Sequence, residues 1–210
     1  YLNIRNSGYS DFHAELLPAG FGSATGILGN QGNRLELLLM NPADLRLDQP
    51  RCDSRLEQKT SDQILISEIA DPDNLPEARF IELFNASDSI FMLHGWELRR
   101  FTNANTEPGG AVSLDGLEVG AGGVLVFSAY PEVFETTYGF APDVTVPRNG
   151  PADSNGDDSI ELIDPFGNVV DTFGNPGTDG SGTSHEFEDG GAHRRREVNR
   201  SNPVFDPSQW

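Results

Sequence analysis

At 210 residues, with a net charge of −19, a single cysteine and no long apolar run, the chain has room for one large domain or two small ones and a sizeable core. A disulfide framework and a helical membrane span are both excluded. Residues 64–192 alone carry −19 with only four Arg, a surface that repels nucleic-acid phosphates and anionic membranes and attracts cations or basic partners. Solubility is the simpler reading of that charge.

Residues 1–50 read as a small partial β unit. Residues 1–5 alternate, residues 21–28 form a second strand-like run and residues 34–40 (RLELLLM) a third. The GNQGN link at 29–33 is strong hairpin chemistry. Three short strands are too little for an independent core, so this unit is expected to lean on the rest of the chain or on chain outside it. The start in YLNIRN without Met suggests a piece of a longer protein. Asn41-Pro42-Ala43-Asp44 ends the third strand, and residues 51–63, of mixed charge and no periodicity, read as a linker.

From Ile64 onward turn signals recur at short intervals, the pattern of an all-β sandwich. Strands are expected at 64–70, 78–86, 91–101, 111–115, 123–129, 144–147, 158–163, 169–173 and 184–188. The stretch 78–101, ARFIELFNASDSIFMLHGWELRRF, reads as two strands joined by a polar turn, a hairpin around Trp96 with Ile81 and Leu83 in the core. PEVFETTY at 131–138 is the best helix candidate, with Pro in its first turn and Glu132 at the positive end of the dipole. Its shortness suggests a crossover turn rather than a docking element. SIELIDPFGNVVDT at 159–172 is a clear hairpin. NPGTDGSGT at 175–183 reads as a loop over the sheet end, and the aromatic tail NPVFDPSQW at 202–210 is expected to pack back on the sandwich.

Three motifs in order resemble the lamin tail domain: ILISEIA (64–70), ARFIELFNAS (78–87) and LHGWELRR (93–100). GDDSIEL (156–162), DPFGNVVDT (164–172) and the terminal FDPSQW (205–210) are similar to its bacterial secreted branch, so the resemblance spans about residues 62–210. It implies an immunoglobulin-like β-sandwich over 64–210 and an extracellular or cell-surface accessory module. It supplies no catalytic residues, because the family has no established catalytic motif. Nuclear lamins use this domain for protein and DNA contacts, but the acidic block argues against a DNA surface here. Residues 1–50 resemble the end of an uncharacterised β-rich domain of secreted bacterial proteins.

Asp153-Ser154-Asn155-Gly156-Asp157-Asp158 has oxygen ligands around a Gly turn, and Asp153, Asn155, Asp157 and Asp158 are candidate ligands for Ca2+. The EF-hand spacing is absent, and a polar loop capping the next strand is the competing reading. Asp71, Asp73, Asn74 and Glu77 form a second acidic loop. Glu68 and Glu82, on adjacent strands, would resemble the carboxylate pair of a retaining glycosidase if about 5 Å apart. Glutamates bonded to backbone or to arginine are far commoner. No His pair has metal-ligand spacing, no nucleophile elbow or phosphate-cradling loop is present, and Cys52 lacks a nearby His. The run His193 to Arg196, with Arg200, is expected to neutralise acids of its own domain.

With what the resemblance implies, the expected function is a non-catalytic extracellular interaction or spacer module of a larger secreted bacterial protein, stabilised by calcium, with a protein or carbohydrate partner and no nucleic acid or membrane. The alternatives are an accessory region of an extracellular nuclease or phosphatase, and a carboxylate-dependent glycosidase. A binding role predicts exposed aromatics, with Phe101, Tyr130 and Phe140 as candidates.

Overall fold

The computed structural model describes every residue except 1–2, 16–19, 33, 50–56 and 74, and for residues 21, 31 and 49 the backbone alone. Residues 51–56 of the expected linker, Cys52 among them, and Asn74 therefore lie outside the described residues. The chain divides into two compact units, Tyr1–Glu57 and Gln58–Trp210.

The described residues of the first unit form five strands: β1 (Asn3–Asn6), β2 (Phe21–Ala24), β3 (Ile27–Gln31), β4 (Arg34–Leu39) and β5 (Leu45–Gln49). Strands β3 and β4 form the expected hairpin, turned at Gly32 with φ +68°, and β1 runs parallel to β4 on its other side. Strand β5, which pairs with β2, was not expected. Its sequence LRLDQ has only two apolar residues and follows the Pro42–Asp44 turn, so its pattern merges with the linker. Among the described residues of this unit Leu39 is the only buried hydrophobic side chain, while Ile4, Ile27, Leu28 and Leu35 are all more than half exposed.

The second unit is a two-sheet sandwich. Strands β6 (Ile64–Asp71), β7 (Phe80–Asn85), β12 (Val124–Ser128), β13 (Val144–Thr145) and β16 (Gly190–His193) form one sheet in the order β13-β12-β7-β6-β16. The facing sheet has the order β10-β9-β14-β15, built from β9 (Glu97–Phe101), β10 (Gly110–Ser113), β14 (Ser159–Ile163) and β15 (Val169–Phe173). A two-stranded ladder joins β8 (Phe91–Met92) to β11 (Glu118–Val119). Ile64, Ile66, Ile69, Ile81, Leu83 and Phe127 of the first sheet meet Leu98, Ile160, Leu162 and Phe173 of the second, with Trp96 among them. Each such side chain stabilises the fold by about 1.5–3 kcal/mol relative to exposure.

One irregularity sets the outer face. Ile66 pairs with Leu83 and Glu68 with Glu82, so Ser67 is an extra, bulged residue. Strict alternation from Ile64 and Ile66 would turn Glu68 into the core. The bulge resets the phase, sending Glu68 outward and Ile69 inward.

The stretch 78–101 is not a hairpin. Its first strand, β7, and its last, β9, lie in opposite sheets, and residues 86–96 cross between them through β8. The expected single strand 91–101 is broken by the turn at 93–96, where Gly95 takes φ +78°. Asn85, fully buried, anchors the crossover: its Nδ2 donates to the carbonyls of Ser89, Val119 and Gly120 at 2.8–3.0 Å, and its Oδ1 accepts from Ser87 N and Oγ. A turn built this way is far longer than a hairpin loop.

The helix falls where expected, at α1 (Pro131–Tyr138), ending on Gly139 at φ +82°. It docks, contrary to the crossover expectation. Phe134 and Tyr138 pack on Phe80, Ala70 and Val126 in a second small core on the outer face of the first sheet. The expected strand at 184–188 is instead a series of turns. His185 and Phe187 are buried at strand-like spacing, but the local bonds run Thr183 N to Gly180 O and Gly190 N to Phe187 O. The strand follows it, as β16. The β14–β15 hairpin is as expected, its turn held by Asp164 accepting from Phe166 N and Asn168 N with Gly167 at φ +83°.

Candidate functional site

Ser159 at the start of β14 pairs with Phe101 at the end of β9, and Ile160 pairs with Phe173 at the end of β15. Three loops, 102–109, 149–158 and 174–189, therefore leave the same end of the second sheet. They hold eight Asp and Glu and no Lys or Arg. Backbone bonds stitch them together: Gly177 N donates to Asn105 O at 3.0 Å, Gly180 N to Asp157 O at 2.9 Å and Phe187 N to Gly156 O at 2.8 Å. Glycine is required at this junction, because a Cβ on Gly156 would lie 2.2 Å from Glu188 Cα and one on Gly180 2.7 Å from Asp157 O.

The four candidate calcium ligands are not turned to one point. Asp153 accepts from Asn149 N at 2.8 Å and faces Arg79, whose Nη1 is 3.7 Å away. Asp158, fully buried, accepts from Ser154 Oγ at 2.8 Å and Asn103 N at 3.0 Å, with Arg100 Nε at 3.6 Å. Asn155 is exposed. Asp157 is 9 % exposed; its Oδ2 accepts from Asn103 Nδ2 at 2.7 Å, while its Oδ1 is buried without a hydrogen-bond partner. Burial raises the Asp157 carboxyl above its ordinary range, helped by the charges of Asp158, Asp179 and Glu188. Among the described residues no three His, Cys, Asp or Glu side chains are placed together to hold a metal ion. In the second acidic loop Asp71 is buried and takes Arg79 Nε at 2.5 Å.

Glu68 and Glu82 do face each other across β6 and β7, as the sequence suggests. Each has a partner. Ser67 Oγ donates to Glu82 Oε1 at 2.6 Å, and His193 Nδ1, opposite Glu68 on β16, lies 3.3 Å from Glu68 Oε1. Burial raises the Glu68 carboxyl, opposed by His193 and reinforced by Glu82. Neither glutamate lines the cavity of about 480 Å3 in the first unit, around Phe12, His13, Leu39 and Leu45, or the groove of about 260 Å3 around Asp62, Asp164 and Pro203.

The basic run pairs within its own unit. Arg194 donates to both oxygens of Asp171 at 2.9 and 3.0 Å, to Ile66 O at 2.8 Å and to Gln209 Oε1 at 2.9 Å, with its guanidinium 4.4 Å from the Trp210 ring centroid. Arg200 pairs with Asp62. Asp171 also accepts from Ile66 N and Asn202 N. Burial pushes the Asp171 carboxyl up to about 6, opposed by Arg194 and these donors. The tail thus packs back, with Trp210 4.7 Å from Phe173.

Of the three aromatic candidates, Phe101 is buried at 6 % and belongs to the core, Tyr130 is half-buried under Arg148, and Phe140 is 53 % exposed. Sequence reading missed Asn103, Asp179 and Glu188, which come from loops distant in sequence. Asn103 has one signal, an Asn able to hold φ +51° at the end of a strand.

The description of the lamin tail domain matches residues 57–177. No curated protein matches the chain. Strand β16 and the tail lie beyond the matched span, yet they complete the same sheet and core. The matched residues are more than half of the chain and carry both sheets of an immunoglobulin-like sandwich. The chain belongs to the lamin tail domain family.

Proposed function

We propose that the chain is a non-catalytic extracellular contact or spacer module of a larger secreted bacterial protein, with a protein or carbohydrate partner. Lamin tail domains are binding or spacer modules of immunoglobulin-like fold. The observation that carries the reading is the three-loop end, where Glu107, Asp179, Glu186, Glu188 and Asp189 are exposed on loops that a rigid sandwich holds in place. That surface disfavours nucleic acid and suits neutral glycans or basic protein segments. Phe140 adds an exposed aromatic contact elsewhere on the unit.

The full chain should be tested for retention on polysaccharides, basic proteins and duplex DNA at low and high salt, and for hydrolysis of glycosides and phosphate esters. Retention on a polysaccharide or basic protein, weakened by Glu186→Gln with Asp189→Asn or by Phe140→Ser, supports the reading. Turnover lost in Glu68→Gln or Glu82→Gln would overturn it.

A further inference from the structure

Asp157 is the one acid at the loop junction that is deeply buried and half-satisfied. Its neighbours Asp153 and Asp158 face Arg79 and Arg100, which compensate their charge. Asp157 has no such cation: Asn103 neutralises nothing and serves only Oδ2, leaving Oδ1 enclosed without a donor. A buried carboxylate oxygen in that condition has lost its water with nothing to replace it. The charges that reach Asp157 are those of Asp158, Asp179 and Glu188, so the loops 149–158 and 174–189 both bring acids to its neighbourhood. Two glycines permit the approach, Gly156 against Glu188 and Gly180 against Asp157 itself.

We propose that Asp157 anchors a site for a hard divalent cation of the calcium class, with the exposed Asp179 and Glu188 as its outer carboxylates. The donor set differs from the sequence-expected one, since Asp153 and Asp158 are committed to arginines and Asn155 points to solvent. Because no three acidic side chains enclose the point, water and backbone carbonyls complete the six to eight oxygens that calcium takes, and affinity falls in the weak range of extracellular modules, about 0.1–1 mM. The ion would add to the three backbone bonds and the two Asn103 bonds that tie these loops. This site stands independently of the partner reading above.

Thermal melting of the full chain in chelator, in about 10 mM calcium and in sodium chloride of equal ionic strength tests it. Calcium at that level should raise the midpoint by about 3–10 °C, with sodium chloride giving no comparable rise. Asp157→Asn should abolish the calcium response and, by removing repulsion, leave the chelator midpoint unchanged or higher. Asp179→Asn and Glu188→Gln, on exposed side chains, should each weaken calcium affinity about tenfold and carry the test if Asp157→Asn fails to fold. A wild-type midpoint equal in chelator and calcium overturns the proposal, as does a response retained in Asp157→Asn or in the Asp179→Asn/Glu188→Gln double variant. No partner is needed, so this outcome is separate from the binding and turnover assays.

Discussion

Arg194 and Asp171 form a two-pronged ion pair inside the sandwich, each side chain no more than 2 % exposed. The pair sits where strand β15 of one sheet comes up against the bulge in β6 of the other. Strand β16 covers the outer edge of β6 only from Glu68 to Asp71, so Ile66 and Ser67 have no strand beside them there, and the pair satisfies their open groups. Asp171 accepts from Ile66 N, Arg194 Nε donates to Ile66 O, and Arg194 N donates to Ser67 O. One ion pair therefore closes the open side of the sandwich and anchors the tail through Gln209 and Trp210.

Arg194→Met should destabilise the protein by about 3–5 kcal/mol, because it leaves the Asp171 carboxyl buried without its partner, to stay charged or to take up a proton. Adding Asp171→Asn removes the stranded carboxylate and keeps an acceptor for one of the two amides, Ile66 N or Asn202 N, which bond different oxygens of Asp171. The double variant should therefore recover about 2 kcal/mol relative to the sum of the single losses. Urea denaturation of the four proteins measures this coupling; losses that simply add would remove the claim that the two act as a unit.

Asn85 should tolerate neither Ala nor Asp. Asn85→Ala strands the carbonyls of Ser89, Val119 and Gly120 and the donors of Ser87, at a cost of about 2–4 kcal/mol. Asn85→Asp keeps the size but turns a donor toward three carbonyls into an acceptor, and should cost at least as much near neutral pH. Equal stability of Asp and Asn at position 85 in chemical denaturation would contradict the donor role.

Glu68 gives a pH signature. Its folded value lies above the ordinary 4.5 through burial, with Glu82 adding repulsion and His193 opposing. The folded state therefore holds a proton where the unfolded chain has lost it. The stabilising contribution is complete below about 4.5 and is lost as pH rises through the folded value. Glu68→Gln has no such loss, so its stability relative to wild type should improve from pH 4 toward neutrality. A difference in melting midpoint that is flat or falls over that range would refute this.

The sandwich was legible in the sequence because its signals are local. Ile81 and Leu83 alternate, Asp164 to Asn168 is a turn with a mechanism, and Pro131 with Glu132 opens a helix. Phe187 misled for the same reason: two buried residues at spacing two look like a strand whether strand or turn buries them. Long-range pairing was not legible. An acid in the middle of β15 signals a buried partner, but nothing local distinguishes Arg194 from Arg195 and Arg196. The acidic loop was found as a loop, whereas the arginines that meet Asp153 and Asp158 come from positions 79 and 100, and the acids nearest Asp157 come mostly from 179 and 188. Convergence of that kind belongs to topology.

The bulge at Ser67 acts like a change of reading frame written into the sheet. Before it the even-numbered residues of β6 face the core; after it the odd-numbered ones do. Loss of this residue would merge the two halves into one regularly alternating strand, Ile66 inward, Glu68 outward and Ile69 inward, without the local bend of the bulge. A residue added elsewhere in β6 would instead put part of the strand out of phase with its partner. What Ser67 supplies to the frame is an extra residue, whatever its side chain.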